Sequence, residues 1–187
     1  MSTATVPTTV DQLTGTWTLD ESHTRIGFVA RHAMVTKVRG SFNEFTGTAE
    51  VGENLSDAKV NVTIKVDSFD TRNEQRDGHI KSGDFLAIEE YPEITFVSTA
   101  VTPTGENSFD LTGDLTIKGQ TNSVTVPFEF EGAATDPFGN LRAGFEGSTV
   151  INRKDYGITW NAALETGGVL VSEKITLEFE VSAIKSA

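Results

Sequence analysis

Three neighbouring residues have the side-chain types of a serine hydrolase. Asp20, Ser22 and His23 fall within one stretch of four positions. A catalytic triad is defined by spatial roles and not by adjacency in the sequence. Short polar side chains near a chain reversal commonly bond to one another or to the backbone. The pattern therefore predicts local turn contacts, and the sequence offers no identifiable nucleophile or general base for an enzyme.

Metal and cofactor chemistry is equally poorly supported. The chain has no cysteine, which excludes disulfides, thiolate catalysis, zinc ribbons and iron–sulfur clusters. Its three histidines are His23, His32 and His79. The first two are nine residues apart, and an odd separation on a regular strand places side chains on opposite faces. The sequence predicts neither a metal site nor a cofactor.

A group of carboxylates surrounds Tyr91 and Pro92. Glu89, Glu90 and Glu93 are close in sequence, but general acid–base catalysis needs a carboxyl group with a perturbed pKa inside a cleft. We interpret these residues as a solvated acidic loop.

The distribution of charge is more informative. The chain has 27 acidic and 15 basic residues and a net charge of −12, which argues against nucleic acid or an anionic membrane surface as the main partner. Residues 22–43 nevertheless contain Arg25, Arg31, Lys37 and Arg39 and no acidic residue. Two interpretations stay open: a small anion site at a pocket mouth, or a hairpin whose basic outer face pairs with acidic neighbours.

Alternating apolar and polar residues dominate the chain, as in strands with one buried face. The clearest runs cover residues 60–67, 109–117, 124–130 and 175–181. Turn-forming residues separate consecutive runs, so neighbouring strands should be antiparallel. About eight or nine strands with one apolar face must close into a barrel or stack as a sandwich.

Two segments depart from this pattern. Residues 70–91 are polar, and we predict a short helix at 73–81 and a further turn at 84–87; residues 153–170 are predicted to form a long irregular loop. Residues 1–13 should be a flexible N-terminal segment before one domain at 14–187. They contain neither the basic start nor the apolar stretch of a secretory signal, and no run is long enough for a membrane helix. We therefore expect a cytoplasmic location.

Several distinctive sequence blocks occur in order within about residues 16–184, at 19–28, 31–32, 76–85, 91–96, 111–119 and 151–157. Together these blocks resemble the YceI-like family of polyisoprenoid-binding, lipocalin-like proteins. The resemblance implies an all-β fold: an antiparallel eight-stranded lipocalin-like barrel with one or two short helices near an opening. It also implies a long isoprenoid or similar lipid in an internal apolar channel. Many family members are exported to the periplasm, and this sequence lacks a recognisable leader.

We therefore predict a non-catalytic protein that sequesters or transports a polyprenol, polyprenyl phosphate or quinone. The predicted apolar lining is Phe28, Phe45, Val62, Ile64, Phe96, Leu115, Phe128, Phe145 and Leu177. The head-group candidates are Arg31, His32, Lys37 and Arg39. Two alternatives stay open: a small hydrolase or isomerase acting on a hydrophobic substrate, and a filled barrel serving as a stress-response interaction module. Assembly as a homodimer is also left open.

Overall fold

The fold is almost entirely antiparallel β-sheet. The computed structural model describes residues 5–165 and 168–186. Eleven strand segments and one α-helix follow one another along the chain. They are β1 (Gly15–Leu19), β2 (Arg25–His32), β3 (Thr36–Phe42), β4 (Phe45–Val51), β5 (Lys59–Lys65), β6 (Phe69–Asp70), α1 (Glu74–Lys81), β7 (Glu93–Gly105), β8 (Ser108–Ile117), β9 (Gln120–Thr135), β10 (Leu141–Asn152) and β11 (Lys174–Lys185).

The sheet closes on itself through β11. One edge of β11 pairs with β10, while its other edge pairs with β1 near Ala183 and with β2 near Leu177. On the other side of these two segments, β4 pairs with β1 and β3 pairs with β2. Next in the sheet, β5 pairs with β4 and β6 pairs with β3. Three barrel strands are thus each split into two segments. The result is an eight-stranded up-and-down barrel, which confirms the predicted fold class.

Helix α1 marks one end of the barrel. Its Asn73 side chain accepts a hydrogen bond from the Arg76 N–H, so the helix begins one residue after the predicted start. We call this end, with residues 33–35, 71–92, 118–119, 153–165 and 168–173, the helix end. The opposite end, with residues 5–14, 52–58, 106–107 and 136–140, is the far end.

Two clusters of buried side chains occupy the interior. The helix-end cluster contains Ile26, Phe28, Phe45, Ile64, Val66, Phe69, Phe85, Leu86, Ile94, Leu115, Ile117, Tyr156 and Ile158. The far-end cluster contains Val10, Leu13, Trp17, Leu55, Val101, Phe130, Leu141, Ala143 and Ala183. Residues 1–4 of the predicted flexible segment lie outside the described residues. The packed part of the domain already includes Val10, which is upstream of the predicted boundary.

Candidate functional site

An apolar cavity of about 190 Å³ lies inside the barrel. Its twenty lining residues are all apolar: Leu13, Trp17, Leu19, Ala49, Val51, Leu55, Ala58, Val60, Val62, Ile64, Phe96, Val101, Phe109, Leu111, Val126, Phe128, Phe145, Phe179, Val181 and Ala183. It extends from Leu13 and Leu55 at the far end to Ile64 and Phe96 in the middle of the barrel. Such a lining favours an apolar occupant and offers no polar side chain to hold a charged group.

Strand alternation creates this lining. On β5, Val60, Val62 and Ile64 face the interior, while the residues between them face outward. Gly113 on β8 leaves room for the Phe96 ring, because a Cβ at this position would lie 2.4 Å from Phe96 Cζ and 2.6 Å from the Val97 carbonyl oxygen. The glycine therefore lets an aromatic side chain lie flat against the strand and leaves the cavity open.

The predicted lining residues divide between two places. Five of the nine, Val62, Ile64, Phe96, Phe128 and Phe145, lie at the cavity. Of the other four, Phe28, Phe45 and Leu115 are buried within the helix-end cluster, and Leu177 is partly buried against it. The prediction omitted most of the lining, including Phe179 and Val181. Their alternation on β11 was a readable signal, whereas Leu13 and Leu55 lie outside the strands and had none.

Aromatic packing fills the barrel at the helix end. The Phe28 ring stacks on Phe69 with centroids 5.0 Å apart, and Phe42 contacts both rings. Beside α1, Trp160 packs within 5.2 Å of the Phe85 ring. The interior therefore consists of an open half and a filled half.

A buried arginine orders the loop that covers the helix end. Arg153 donates hydrogen bonds to the backbone carbonyls of Ile158, Trp160, Val171 and Ser172. These carbonyl dipoles compensate for burying the guanidinium group. Nothing in the sequence pattern predicts this role, because a lone arginine after a strand is normally solvent-exposed.

Tyr156 belongs to the same filled region. Burial raises the pKa of its phenol to about 12. The hydroxyl has no hydrogen-bond partner among the described residues. Because Tyr156 packs in the helix-end cluster and does not line the cavity, it is separated from the candidate site.

The hydrolase-like residues make local contacts, as predicted. The Ser22 hydroxyl donates to Asp20 Oδ1 at 2.8 Å, and His23 Nδ1 lies 2.7 Å from Asp20 Oδ2. Ser22 also approaches the same ring nitrogen, Nδ1, at 3.1 Å. In a triad the serine and the carboxylate contact opposite nitrogens of the imidazole. Both contacts fall on one nitrogen here, so this arrangement is not a proton relay.

The four head-group candidates lie on the β2–β3 hairpin and are all exposed. Arg31 faces Lys37 across the strands, and Arg39 faces Val29, so the three basic side chains share the outer face. His32 lies on the same face of β2 as the inward-facing Phe28, but it is at the exposed end of the strand. None of the four lines the cavity.

Residues 5–165 and 168–186 contain no group of three histidine or acidic side chains placed to hold a metal ion. In the same ranges no helix combines the length and apolar character needed to cross a membrane.

Comparison with known proteins gives a consistent result. A family model described as a YceI-like domain matches residues 17–183. The UPF0312 protein SA2479 of Staphylococcus aureus is 43% identical over 169 residues, which cover 89% of this chain and 95% of that protein. The crystal structure of BcnA from Burkholderia cenocepacia matches with a TM-score of 0.76 and 25% identity, over 88% of this chain and 98% of BcnA.

A third match is more distant in sequence. A polyisoprenoid binding domain from Saccharophagus degradans, implicated in plant cell wall breakdown, has a TM-score of 0.70 and 13% identity. The match covers 90% of this chain and 98% of that domain. At this identity the likeness concerns the fold.

Proposed function

The chain belongs to the YceI-like family, and we propose that it binds an apolar molecule inside the barrel in order to sequester or carry it. The observation that carries this proposal is the cavity, because all of its lining side chains are apolar. Transfer of a hydrocarbon from water to such a site is favourable by about 25 cal/mol for each Å² of apolar surface removed from water. No specific polar contact is needed for retention.

The size of the cavity supports an organic ligand. An engineered apolar cavity of about 150 Å³ in another protein stays dry and binds benzene, and the cavity here measures about 190 Å³. A longer chain has one direction in which to extend within the barrel, toward Phe28 and Phe69, and it would have to displace those packed rings. The cavity as it stands therefore holds a short apolar segment.

We propose a polyisoprenoid, such as a polyprenol, polyprenyl phosphate or quinone, as the ligand. The Saccharophagus degradans domain of the same fold is a polyisoprenoid-binding protein, and a methyl-branched chain suits a wall of branched and aromatic side chains. The apolar end would occupy the cavity, because the lining contains no cation to receive a phosphate. The head-group assignment of Arg31, His32, Lys37 and Arg39, the cytoplasmic location and a homodimer stay predictions from the sequence.

The proposal assigns a non-catalytic role to the chain. A hydrolase or isomerase would need a nucleophile or base beside the bound molecule, and the cavity wall has only hydrocarbon side chains and the Trp17 indole. The Trp17 N–H is already engaged, since it donates to the Leu13 carbonyl at 2.8 Å.

Occupancy of the cavity can be tested with a matched pair of variants. Ala49→Phe places a ring inside the cavity, whereas Ala100→Phe places the same ring on the exposed side of β7. We expect the first variant to weaken binding of a fluorescent apolar probe, and of a polyprenol that competes with it, by at least about tenfold. The Ala100→Phe protein should bind both as the wild type does.

Native mass spectrometry of the freshly purified protein, followed by organic extraction, identifies the natural ligand. An extracted isoprenoid that is missing from Ala49→Phe supports the proposal. Equal probe binding by the two variants would show that the cavity is not the site. A wild-type protein that binds neither probe nor polyprenol would favour a filled interaction module, and turnover of a hydrophobic substrate would favour an enzyme.

A further inference from the structure

The tip of the β2–β3 hairpin presents apolar side chains to solvent. Met34 is 55% exposed and Val35 is 74% exposed. The Val35 N–H donates to the His32 carbonyl at 3.1 Å, and the three residues 33–35 that join β2 to β3 carry both side chains at the helix end. Large apolar residues in this position contribute little to the core.

The turn is built from unusual residues. Ala33 and Met34 have φ angles of 51° and 68°. Hairpin turns that require positive φ at two successive residues, such as type I′, strongly favour asparagine and glycine there. A methionine here is conformationally costly. The sequence thus keeps an apolar side chain at the tip where the backbone alone would favour a small or polar residue.

Basic side chains surround this apolar tip. Arg31, Lys37 and Arg39 lie on the outer face of the hairpin, within a segment from 22 to 43 that has no acidic residue. Among the described residues these three make no ion pair. The structure therefore does not show these three residues paired with acidic neighbours across the sheet, which was the other interpretation of the hairpin.

Three of the acidic residues on the adjoining elements are set back from the tip or already paired. Glu178 on β11 lies opposite Gly27, and its carboxylate is 3.9 Å from Arg25. Asp70 on β6 lies opposite Ser41, and Glu173 is 2.7 Å from Lys154. The fourth, Glu165, is exposed in the loop that also contains Gly168, where an added Cβ would lie 3.1 Å from Met34 Cγ.

A second hairpin tip shows that exposure alone does not give this combination. Phe138, between β9 and β10, is 88% exposed. Its turn contains Asp136, which binds Arg142 through Nε at 2.6 Å, so the arginine beside this tip is already paired. The β2–β3 tip unites exposed apolar side chains with unpaired positive charge.

We propose that the β2–β3 hairpin docks the protein on an anionic lipid surface. Met34 and Val35 would enter the boundary between head groups and acyl chains, while Arg31, Lys37 and Arg39 contact lipid phosphates. The net charge of −12 opposes a general approach, but charges more than about 10 Å from the contact are largely screened at 0.1 M salt. Local charge at the tip therefore decides the contact. This inference does not depend on what the cavity holds.

Vesicle flotation tests the proposal with the full-length protein. We expect binding to vesicles of equimolar phosphatidylglycerol and phosphatidylcholine, and none to phosphatidylcholine alone. Lys37→Glu with Arg39→Glu should weaken the binding by at least about tenfold, because each basic residue near an anionic surface contributes to the attraction. Added salt should weaken wild-type binding in the same direction.

Two controls separate the hairpin from overall charge and from folding. Lys59→Glu with Lys65→Glu makes the same charge change on exposed β5 residues and should leave flotation unchanged. Met34→Asn with Val35→Thr removes the apolar tip, and asparagine suits the positive φ at position 34, so this variant should fold and yet lose vesicle binding.

Several outcomes would overturn the proposal. These are a wild type that ignores anionic vesicles, equal binding to neutral vesicles, equal loss in the β5 control, or full binding by Met34→Asn with Val35→Thr. A hairpin that serves a protein partner would give the first of these outcomes.

Discussion

At the scale of single residues, Arg142 joins two turns that are distant in the sequence. Its Nη1 atom lies 2.5 Å from Asp20 Oδ2, between β1 and β2, and its Nε lies 2.6 Å from Asp136 Oδ2, between β9 and β10. The guanidinium group holds the pKa of Asp20 well below its usual range and lowers the pKa of Asp136 to about 2. The contact between Asp20 and His23 is thus part of a structural ion-pair network.

This network predicts a specific acid dependence of stability. The pKa values of Asp20 and Asp136 in the folded protein lie below the value of about 3.9 for an unfolded aspartate. At pH values between the folded and the unfolded pKa, the folded protein therefore binds fewer protons than the unfolded chain. The network's contribution to the free energy of unfolding is therefore present above about pH 4 and is lost as the pH falls toward 2. Replacing Arg142 by methionine should weaken this dependence, because Arg142 contributes most to lowering both pKa values. It should also lower the Tm at neutral pH by about 2–4 °C.

Thermal unfolding of wild type and Arg142→Met from pH 7 to pH 2 provides the measurement. Arg25→Met is the control, because its partner Glu178 is 3.9 Å away and both side chains are substantially exposed. A wild-type Tm that falls no more than that of Arg142→Met over the acid range would contradict the prediction.

At the scale of secondary-structure elements, the seam with the fewest paired residues between neighbouring barrel strands of the described wall lies between β5 and β7. Their register ends at the pair Asn61 and Val97, and beyond it the Val60 N–H donates to the Ser98 hydroxyl at 2.8 Å. Ala58 and Val60 line the internal cavity and also an outer groove between the same strands. The hydrogen bond between Val60 and Ser98 thus takes the place of backbone hydrogen bonds where the internal cavity and the outer groove approach each other.

We predict that Ser98→Ala loosens this seam locally. Loss of the acceptor should lower the free energy of unfolding by about 1 kcal/mol and speed exchange of the Val60 amide hydrogen by roughly fivefold. Hydrogen-exchange mass spectrometry of peptides covering β5 measures the effect. Thr99→Ala is the matched control, since the exposed Thr99 hydroxyl bonds to the Thr112 carbonyl on β8 instead. Equal exchange of β5 in the two variants would refute the role of Ser98.

At the scale of the whole molecule, the alternating pattern was sufficient to predict a barrel or a sandwich, because strands with one apolar face must bury it together. The resemblance to the YceI-like family then favoured the barrel. The pattern was not sufficient to locate the cavity. Parity places Phe28 and Phe128 on the same inner surface, yet Phe28 stacks on Phe69 and Phe128 borders open space. Whether an inward side chain borders the cavity or the packed end depends on the loops that close each end of the barrel. Arg153 and Leu55 belong to those loops, and neither the contacts of Arg153 nor the packing of Leu55 has a periodic signal in the sequence.

The N-terminal segment shows the same dependence on tertiary contacts and yields a prediction for the whole barrel. Val10 and Leu13 are 1% and 3% exposed, and the Val10 N–H donates to the Glu106 carbonyl at 3.0 Å, so residues 9–13 cover the far end of the cavity.

Val10→Ala should lower the free energy of unfolding by about 2 kcal/mol. It should also speed the uptake of an apolar fluorescent probe, because Leu13 is held less firmly over the cavity. Val6→Ala makes the same change at a residue that is 38% exposed and should alter neither quantity. Urea unfolding and stopped-flow fluorescence measure the two effects, and indistinguishable behaviour of the two variants would mean that this segment does not close the barrel.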